Sequence, residues 1–306
     1  MPDTTLPGLI IRAQSGFFTV QTATGLVTCQ LRGRLKKGKR LGDLAAVGDR
    51  VKITAQLDGT GSIESVEARS RALVRLDPRP QGIYQQIILA NPDQVLFVFA
   101  CAHPEPHLRM LDRYLVIAEK QGIPSLIVAN KIDLVGADRA RVFFGHYPGI
   151  GYPVIYTSVN EGSGLDELRE HLKGQLSGLA GPSGVGKSSL LNAIQPGLGL
   201  TVREVSQATE KGKHTTVVRQ LFALQDGGYV GDTPGLKALA LWDIQAEELD
   251  GYFPELRRLV MDCLFNDCTH LHEPGCAVRA AVEEGLVHPD RYASYARMRL
   301  GQMEDD

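Results

Sequence analysis

Short stretches in which hydrophobic and polar residues alternate recur through residues 8–71 of the chain. Turns that contain glycine or aspartate separate these stretches, which are Phe17–Val20, Leu26–Leu31, Val47–Ile53 and Ser62–Val66. Several short strands at this spacing are typical of a small β-barrel. We therefore predict an all-β domain over residues 1–71.

Continuous apolar runs replace the alternating stretches in the central part of the chain. Leu126–Ala129 and Val154–Tyr156 predict buried parallel strands, and Ser177–Ala180 predicts a strand that enters a glycine-rich loop. An amphipathic helix is predicted to start over Ser188–Ile194. Together these elements predict an α/β domain over residues 72–241.

The remaining residues, 242–306, predict a third, largely helical domain. Pro254 interrupts a helical pattern over Ala246–Leu259, so we expect two shorter pieces there. Arg291–Leu300 predicts a basic helix with Tyr292 and Tyr295, which is either a second RNA contact or a helix that packs within the protein.

A glycine-rich loop with the pattern G-x-x-x-x-G-K-S follows the Ser177–Ala180 strand. The residues of this loop predicted to hold a nucleotide are Gly181, Ser183, Gly184, Val185, Gly186, Lys187, Ser188 and Ser189. The glycines let backbone N–H groups surround a β-phosphate, and the start of the following helix adds its dipole. Lys187 is expected to reach the β- and γ-phosphates, and the Ser188 hydroxyl is expected to bind Mg²⁺.

A guanine-recognition sequence, Asn130-Lys131-Ile132-Asp133, ends the Leu126–Ala129 strand. Ligands of open α/β sheets bind at the carboxyl ends of strands, so this position suits a base-binding loop. Asp133 can accept hydrogen bonds from N1 and N2 of guanine. Ser158 and Val159 follow the next strand, and the Val159 N–H is predicted to donate to guanine O6.

Asp232-Thr233-Pro234-Gly235 is typical of the loop that detects a γ-phosphate. Asp232 is expected to hold Mg²⁺ through water, and the Gly235 N–H is expected to contact the γ-phosphate. Leu236 stands where Ras-like proteins carry the glutamine that orients the attacking water. Since an apolar side chain cannot orient water, catalysis needs another group.

Lys211–Thr216 lies between the phosphate loop and Asp232 and is predicted to form switch I. Thr216, which we favour over Thr215, would complete the Mg²⁺ shell. His214 is the nearest candidate to replace the missing glutamine. The alternative is that His214 is only an exposed residue of a mobile basic loop.

These elements occur in an unusual order, because the guanine-recognition sequence precedes the phosphate loop. In Ras-like proteins the phosphate loop comes first. The order therefore predicts a circularly permuted P-loop GTPase domain, both of whose ends can be attached to flanking domains.

Three cysteines and one histidine form a short pattern in the third domain, Cys263-x₄-Cys268-x-His270-x₅-Cys276. Three thiolates and an imidazole complete a tetrahedral Zn²⁺ shell, so we predict one structural zinc ion per chain. The full shell disfavours a zinc-dependent hydrolase. Cys29 and Cys101 lie in apolar stretches and are predicted to be buried free thiols, and the cysteine pattern as a whole favours a reducing compartment.

The composition shows one local cluster of basic residues. The net charge is −2, so affinity for nucleic acid has to come from a local patch. Six cations in nine residues supply such a patch, namely Arg32, Arg34, Lys36, Lys37, Lys39 and Arg40. This loop is predicted to bind a phosphate backbone, although the same residues would also suit a loop that is merely solvated.

The longest apolar run, Val95–Ala102, is too short to span a membrane, and no secretory signal is visible, so we expect a cytoplasmic protein.

Taken together, the permuted order, the phosphate loop, the His-Thr-Thr switch and the Cys-Cys-His-Cys pattern resemble the RsgA (YjeQ) family of bacterial small-subunit ribosome-biogenesis GTPases. Ala90–Gln94 and Leu111–Leu115 extend the resemblance over nearly the whole chain. The departures are Pro182 in the phosphate loop and Val217, where a third threonine is common.

The resemblance implies an N-terminal OB-fold barrel that binds RNA, the permuted GTPase domain and a C-terminal zinc-binding module. It implies GTP and GDP as ligands, the small ribosomal subunit and its rRNA as partners, and a monomer without a membrane partner. The implied activity is ribosome-stimulated GTP hydrolysis that controls binding to and release from the maturing 30S subunit. The alternative is a binding module in which the nucleotide only modulates RNA affinity and turnover is incidental.

Overall fold

The computed structural model describes residues 5–36, 42–56, 58–76, 85–198, 219–232 and 244–302. The N-terminal strands are β1 Leu6–Gln14, β2 Phe17–Thr22, β3 Gly25–Leu31, β4 Arg50–Ala55 and β5 Thr60–Val66. They follow the order β1-β2-β3-β5-β4, and β4 pairs with β1 and closes the barrel. Among the described strands of the barrel, only β3 and β5 pair in parallel. The predicted β-barrel is confirmed, with the closed five-stranded order of an OB-fold.

Two details of the barrel differ from the alternation pattern. β1 was not predicted, because its register shifts between Ile10 and Arg12 and the bulge breaks the alternation. The predicted strand Val47–Ile53 begins only at Arg50, since Gly48 adopts a φ of +91° in the preceding turn.

A two-stranded hairpin, β6 Ala72–Leu76 and β7 Gln85–Ala90, connects the barrel to the central sheet. The sheet contains β8 Gln94–Ala100, β9 Ser125–Asn130, β10 Val154–Thr157, β11 Leu176–Ala180, β12 Arg219–Ala223 and β13 Tyr229–Asp232. Its order is β10-β9-β8-β11-β13-β12, and β12 is antiparallel while its other strands are parallel to one another. The predicted α/β domain and its three predicted strands are confirmed.

Helices and packed side chains cover both faces of this sheet. The described helices of this domain are α1 Leu108–Lys120, α2 Ala137–Phe144, α3 Tyr147–Ile150, α4 Leu165–Leu172 and α5 Lys187–Ile194. Phe97 and Phe99 of β8 belong to one buried cluster, whereas Leu96 and Val98 belong to another. Because successive side chains point to opposite faces, this strand is apolar throughout.

The barrel and the central sheet are hydrogen-bonded to each other. β1 pairs antiparallel with β12, with Arg12 opposite Gln220 and Ala13 opposite Arg219. The Arg219 guanidinium also donates to the Ile87 carbonyl at 2.7 Å and lies 3.6 Å from the Asp43 carboxylate. The strand that follows the predicted switch I is therefore attached directly to the N-terminal barrel.

The C-terminal module consists of short helices. They are the 3₁₀ turns Ala246–Tyr252 and Val260–Asp262 and the helices α6 Pro254–Arg257, α7 Ala277–Glu283 and α8 Pro289–Arg299. The predicted break at Pro254 is confirmed, since Phe253 is extended and Pro254 starts α6. The first piece is a 3₁₀ turn, which the sequence pattern did not distinguish from an α-helix.

Helix α8 attaches this module to α1 of the central domain. Arg291 is fully buried and donates to the carboxylates of Asp112, at 2.7 Å, and Glu255, at 2.7 Å. Its guanidinium also lies 4.5 Å from the centre of the Phe253 ring. Of the two explanations for the basic helix, packing is therefore correct for Arg291 and also for the buried Tyr295. Among the described residues, no helix is long and apolar enough to cross a membrane.

Candidate functional sites

The phosphate loop lies where the sequence predicts it, between β11 and α5. A Cβ atom at Gly181, whose φ is +149°, would collide with the Val98 carbonyl of the neighbouring strand. A Cβ atom at Gly186, whose φ is +98°, would lie 2.5 Å from the Asn130 side-chain nitrogen. Both positions therefore require glycine, and the requirement comes from close packing as well as from backbone conformation.

Two lysines lie around this loop. The Lys187 ammonium is almost buried and donates to the carbonyl oxygens of Gly181, at 2.9 Å, and Pro182, at 2.7 Å. The Lys131 ammonium donates to the carbonyl oxygens of Gly184, at 2.7 Å, and His103. Burial lowers the pKa of Lys131. The loop thus has one cation inside it and one against its outer side.

The guanine-recognition loop is bonded to the phosphate loop through Asn130. The Asn130 amide donates to the Val185 carbonyl at 2.8 Å and accepts from the Thr157 hydroxyl at 3.0 Å. One side chain therefore fixes the ends of β9 and β10 relative to the phosphate loop. Although the permutation reverses their order in the chain, parallel strands bring these loops to one edge of the sheet.

Asp133 is held by two side chains from the loop after β10. Ser158 donates to its Oδ1 atom at 2.7 Å, and Asn160 donates to its Oδ2 atom at 2.9 Å. Both hydrogen bonds lower the pKa of Asp133, and the one from Ser158 has the larger effect. The carboxyl group is therefore ionised at neutral pH. The carboxylate is thus held in one orientation as a charged hydrogen-bond acceptor.

Some of the predicted site residues lie outside the part of the chain that the structure describes. The backbone of Asp232 pairs with Leu179, beside the start of the phosphate loop. Lys211–Thr216, which contains His214, lies outside the described residues, and so do Gly235 and Leu236. Their roles stay predictions. Ser188 is almost buried at the start of α5, Ser189 is half-buried beside it, and Val159 packs partly buried against the sheet.

The four predicted metal ligands come together in the C-terminal module. The ligand atoms of Cys263, Cys268, His270 and Cys276 all lie within 4.8 Å of one another. The His270 Nδ1 atom lies 3.5 Å from the Cys263 sulfur and 3.4 Å from the Cys276 sulfur. A tetrahedral zinc site with Zn–S of about 2.3 Å and Zn–N of about 2.0 Å has N···S edges of about 3.5 Å. The donor set and its spacing therefore fit a metal ion of this type.

The loop that carries His270 is tightly bonded to its surroundings. The Glu273 carboxylate accepts hydrogen bonds from the backbone N–H groups of Thr269, at 2.9 Å, and Leu271, at 3.1 Å. The Tyr292 hydroxyl donates to the His270 carbonyl at 2.7 Å, and the Tyr295 hydroxyl donates to the Thr269 carbonyl at 2.9 Å. Helix α8 and Glu273 thus fix the loop that carries His270.

The other two cysteines are buried free thiols, as predicted. Burial raises the pKa of Cys29 and of Cys101 to about 11, so both remain protonated. Neither of them belongs to the group of four residues that could hold a metal ion.

Not all six cations of the basic loop after β3 are fully available to bind phosphate groups. Arg32 forms an ion pair with Glu64, and Arg34 donates to the Glu64 carboxylate at 3.2 Å and to its carbonyl at 3.0 Å. The Arg32 hydrogen bond, together with those from Ser62 and Thr54, lowers the pKa of Glu64. Lys36 is described only in its backbone, and Lys37, Lys39 and Arg40 lie outside the described residues. Two of the six cations are thus partly neutralised by a carboxylate of the barrel itself.

Three residues that contact these sites were not predicted as site residues. Thr157 and Asn160 lie on either side of Ser158 and Val159, in the loop that the sequence places after a predicted strand. Asp250 contacts His270 but lies 20 positions away in the chain. Nothing in the sequence pattern points to that contact, because only the packing of the module creates it.

Known proteins of one family match this chain over almost its whole length. Models of the RsgA N-terminal domain and of the RsgA GTPase match residues 7–63 and 66–242. A relative from Gemmatimonas aurantiaca, named small ribosomal subunit biogenesis GTPase RsgA, is 47% identical and is covered over 97% of each chain. A Thermotoga maritima relative of the same name is 42% identical, with 95% of each chain covered.

Solved structures give the same result. The crystal structure of YjeQ from Thermotoga maritima superposes with a TM-score of 0.80 at 38% identity and covers 99% of this chain and 100% of that one. YloQ, described as a circularly permuted GTPase, superposes with a TM-score of 0.75 at 33% identity, with 97% and 95% covered. The predicted permutation and family resemblance are confirmed: this chain belongs to the RsgA family of GTPases.

Proposed function

We propose that this protein hydrolyses GTP to GDP and phosphate, and that the small ribosomal subunit stimulates this reaction late in its maturation. The proposal takes the subunit from the names of the relatives. The observation that carries it is the fixed Asp133 carboxylate, bonded to Ser158 and Asn160 at one edge of the sheet beside the phosphate loop.

Asp133 would select guanine because its two oxygens can accept from N1 and N2 of that base. The Val159 N–H would donate to guanine O6. Adenine presents no pair of donors at this edge, so its binding would leave the Asp133 charge without a base partner.

Lys187 would exchange its two carbonyl partners for oxygens of the β- and γ-phosphates. Ser188 and Thr216 would hold Mg²⁺ directly and Asp232 would hold it through water; when bound, this ion neutralises charge on the phosphates. The Gly235 N–H would contact the γ-phosphate. Loss of that phosphate would release the loops that carry Thr216 and Gly235.

Water activation is assigned to His214, because Leu236 occupies the usual glutamine position. Contact with the ribosomal subunit would bring the imidazole to the attacking water. Turnover of the isolated protein would then be slow, and the subunit would accelerate it.

Binding of rRNA is assigned to the barrel, through the basic loop after β3. Arg32 and Arg34 share the Glu64 carboxylate. The other four cations of the loop, Lys36, Lys37, Lys39 and Arg40, would therefore supply most of the affinity for phosphate groups. The pairing of β1 with β12 supports coupling between the nucleotide and this surface, because β12 directly follows the predicted switch I.

We assign zinc to the Cys263, Cys268, His270 and Cys276 cluster, with one ion per chain and a structural role. Three of the four ligands are buried, and four protein donors leave no position for a reacting water. The proposed setting is the cytoplasm, where the protein would act as a monomer on the small subunit, without a membrane partner.

The test is the rate of GTP hydrolysis with and without purified small subunits. The proposal predicts slow hydrolysis by the protein alone and a large increase when subunits are added. If added subunits leave the rate unchanged but still bind the protein, it acts as a nucleotide-gated binding module, and the proposed stimulation is wrong.

A further inference from the structure

The His270 imidazole has different partners at its two ring nitrogens. Its Nδ1 atom faces the sulfur atoms of Cys263 and Cys276 at 3.5 and 3.4 Å. Its Nε2 atom faces the opposite way and lies 3.2 Å from the Oδ2 atom of Asp250. The ring is completely buried, so water does not compete for either nitrogen.

The ring has little freedom to turn. His270 adopts a φ of +60°, a left-handed conformation that is costly for a residue with a Cβ atom. The hydrogen bond from Tyr292 to its carbonyl fixes that backbone conformation, and the Tyr295 ring lies 6.0 Å from the imidazole. The surroundings therefore present Nδ1 to the sulfur atoms and Nε2 to Asp250.

Asp250 is itself held in place. Its Oδ1 atom accepts from the backbone N–H of Gly251 at 2.7 Å. The 3₁₀ turn Ala246–Tyr252 that carries it is tied to α1 by the pair between Lys120 and Glu248, at 2.8 Å. Its side chain is 18% exposed, so the carboxylate is partly shielded from water. A fixed, partly shielded carboxylate is a stronger and more directional acceptor than a mobile surface group.

We propose that Asp250 is a positioning residue of the metal site, which accepts a hydrogen bond from the Nε2–H group of His270 and so makes Nδ1 the metal-binding atom. This inference rests on the zinc assignment proposed above. A carboxylate behind a histidine ligand selects the tautomer, fixes the ring plane and increases the basicity of the coordinating nitrogen. Asp250 does not itself bind the metal, because it lies on the far side of the ring.

Zinc affinity of the full-length protein, measured by competition with a chromophoric chelator, tests the proposal. We expect Asp250→Ala to weaken zinc binding by about 10- to 100-fold, the usual effect of losing such a partner. Asp250→Asn retains an acceptor oxygen without the charge and should restore part of the loss. Asp267→Ala is the matched control, since it removes an exposed carboxylate from the same loop region, and it should bind zinc like the unmodified protein.

The ¹⁵N chemical shifts of the histidine ring give a second measurement, because they report which nitrogen binds the metal and which carries the proton. A hydrogen bond with a merely structural role would not determine that assignment. In the unmodified zinc-bound protein, His270 should show metal-bound Nδ1 and protonated Nε2. Asp250→Ala should broaden or shift the Nε2 signal. Coordination through Nε2 in the unmodified protein would overturn the proposal even if the alanine variant does not fold.

The outcomes separate this inference from the zinc assignment. If the unmodified protein binds no zinc, the zinc assignment is wrong. If it binds zinc, but coordination occurs through Nε2 or Asp250→Ala changes the affinity less than twofold, Asp250 has no positioning role and the proposal is overturned.

Discussion

Replacement of Arg291 by methionine should release the C-terminal module from the GTPase domain. Arg291 is fully buried and bridges Asp112 of α1 and Glu255 of α6, both nearly inaccessible. Methionine keeps the apolar length that packs against Phe253 but removes the charge. Both carboxylates would then remain buried without their cation.

The size of the effect follows from these contacts. Removing one partner of a buried ion pair costs about 3–5 kcal/mol, because the remaining charge is left uncompensated. Asp112 would keep its hydrogen bonds from the hydroxyls of Tyr147, at 2.8 Å, and Ser294. We therefore expect a loss of about 4 kcal/mol in the free energy of local opening, or about 10³-fold in the opening equilibrium.

Hydrogen exchange followed by mass spectrometry measures this opening segment by segment. Peptides that cover α1 and α8 should lose protection in Arg291→Met, whereas peptides of the barrel should not. Arg258→Met, which removes an exposed arginine of the same module, is the matched control and should change protection little. A loss below about 1 kcal/mol in Arg291→Met would refute the view that this buried pair attaches the module.

The pH dependence of the same variant gives an independent check. Burial raises the pKa of Asp112, and in the unmodified protein the Arg291 charge opposes that shift. Without Arg291 the folded-state pKa rises further above the unfolded value of about 3.9. The folded variant then binds more protons than the unfolded chain, so its stability increases as pH falls. The deficit of Arg291→Met should therefore shrink between pH 7 and about pH 4.

Three further predictions concern the proposed sites. Asp133→Asn should shift nucleotide preference from GTP toward xanthosine triphosphate, and equal competition by ATP and GTP against labelled GTP in the unmodified protein would contradict the guanine assignment. Lys187→Ala should abolish nucleotide binding or turnover. His214→Ala should instead keep GTP affinity and lower subunit-stimulated turnover by about 10²–10³-fold in a steady-state assay. If stimulated turnover is unchanged in this variant, His214 is only an exposed loop residue. One equivalent of zinc should co-purify with the protein, as measured by elemental analysis, and metal-free protein would exclude the zinc assignment. Cys268→Ser should loosen the C-terminal module without loss of GTP binding.

The sequence predicted those parts of the fold that depend on local pattern. Leu126–Ala129 and Val154–Tyr156 are strands because continuous apolar runs suit a sheet covered on both faces. The nucleotide loops were predictable because their residues are contiguous in the chain. β1 escaped prediction, since the bulge between Ile10 and Arg12 removes the alternation that reveals a strand.

Contacts between distant residues were not predictable in the same way. Arg291 and Asp112 lie 179 positions apart, and Asp250 and His270 lie 20 apart. A helical pattern cannot tell a basic solvent-facing arginine from one that is buried against two carboxylates. Glu64 likewise has no local feature that marks it as the partner of Arg32 and Arg34.

Nucleotide-dependent binding to the small subunit tests the central claim most directly. The affinity of the full-length protein for purified small subunits should be measured at one fixed salt concentration, with a non-hydrolysable GTP analogue and with GDP. If the γ-phosphate controls the ribosome-binding surfaces, binding is tighter with the analogue than with GDP. Equal affinities in the two nucleotide states would contradict the account, even if the protein hydrolyses GTP.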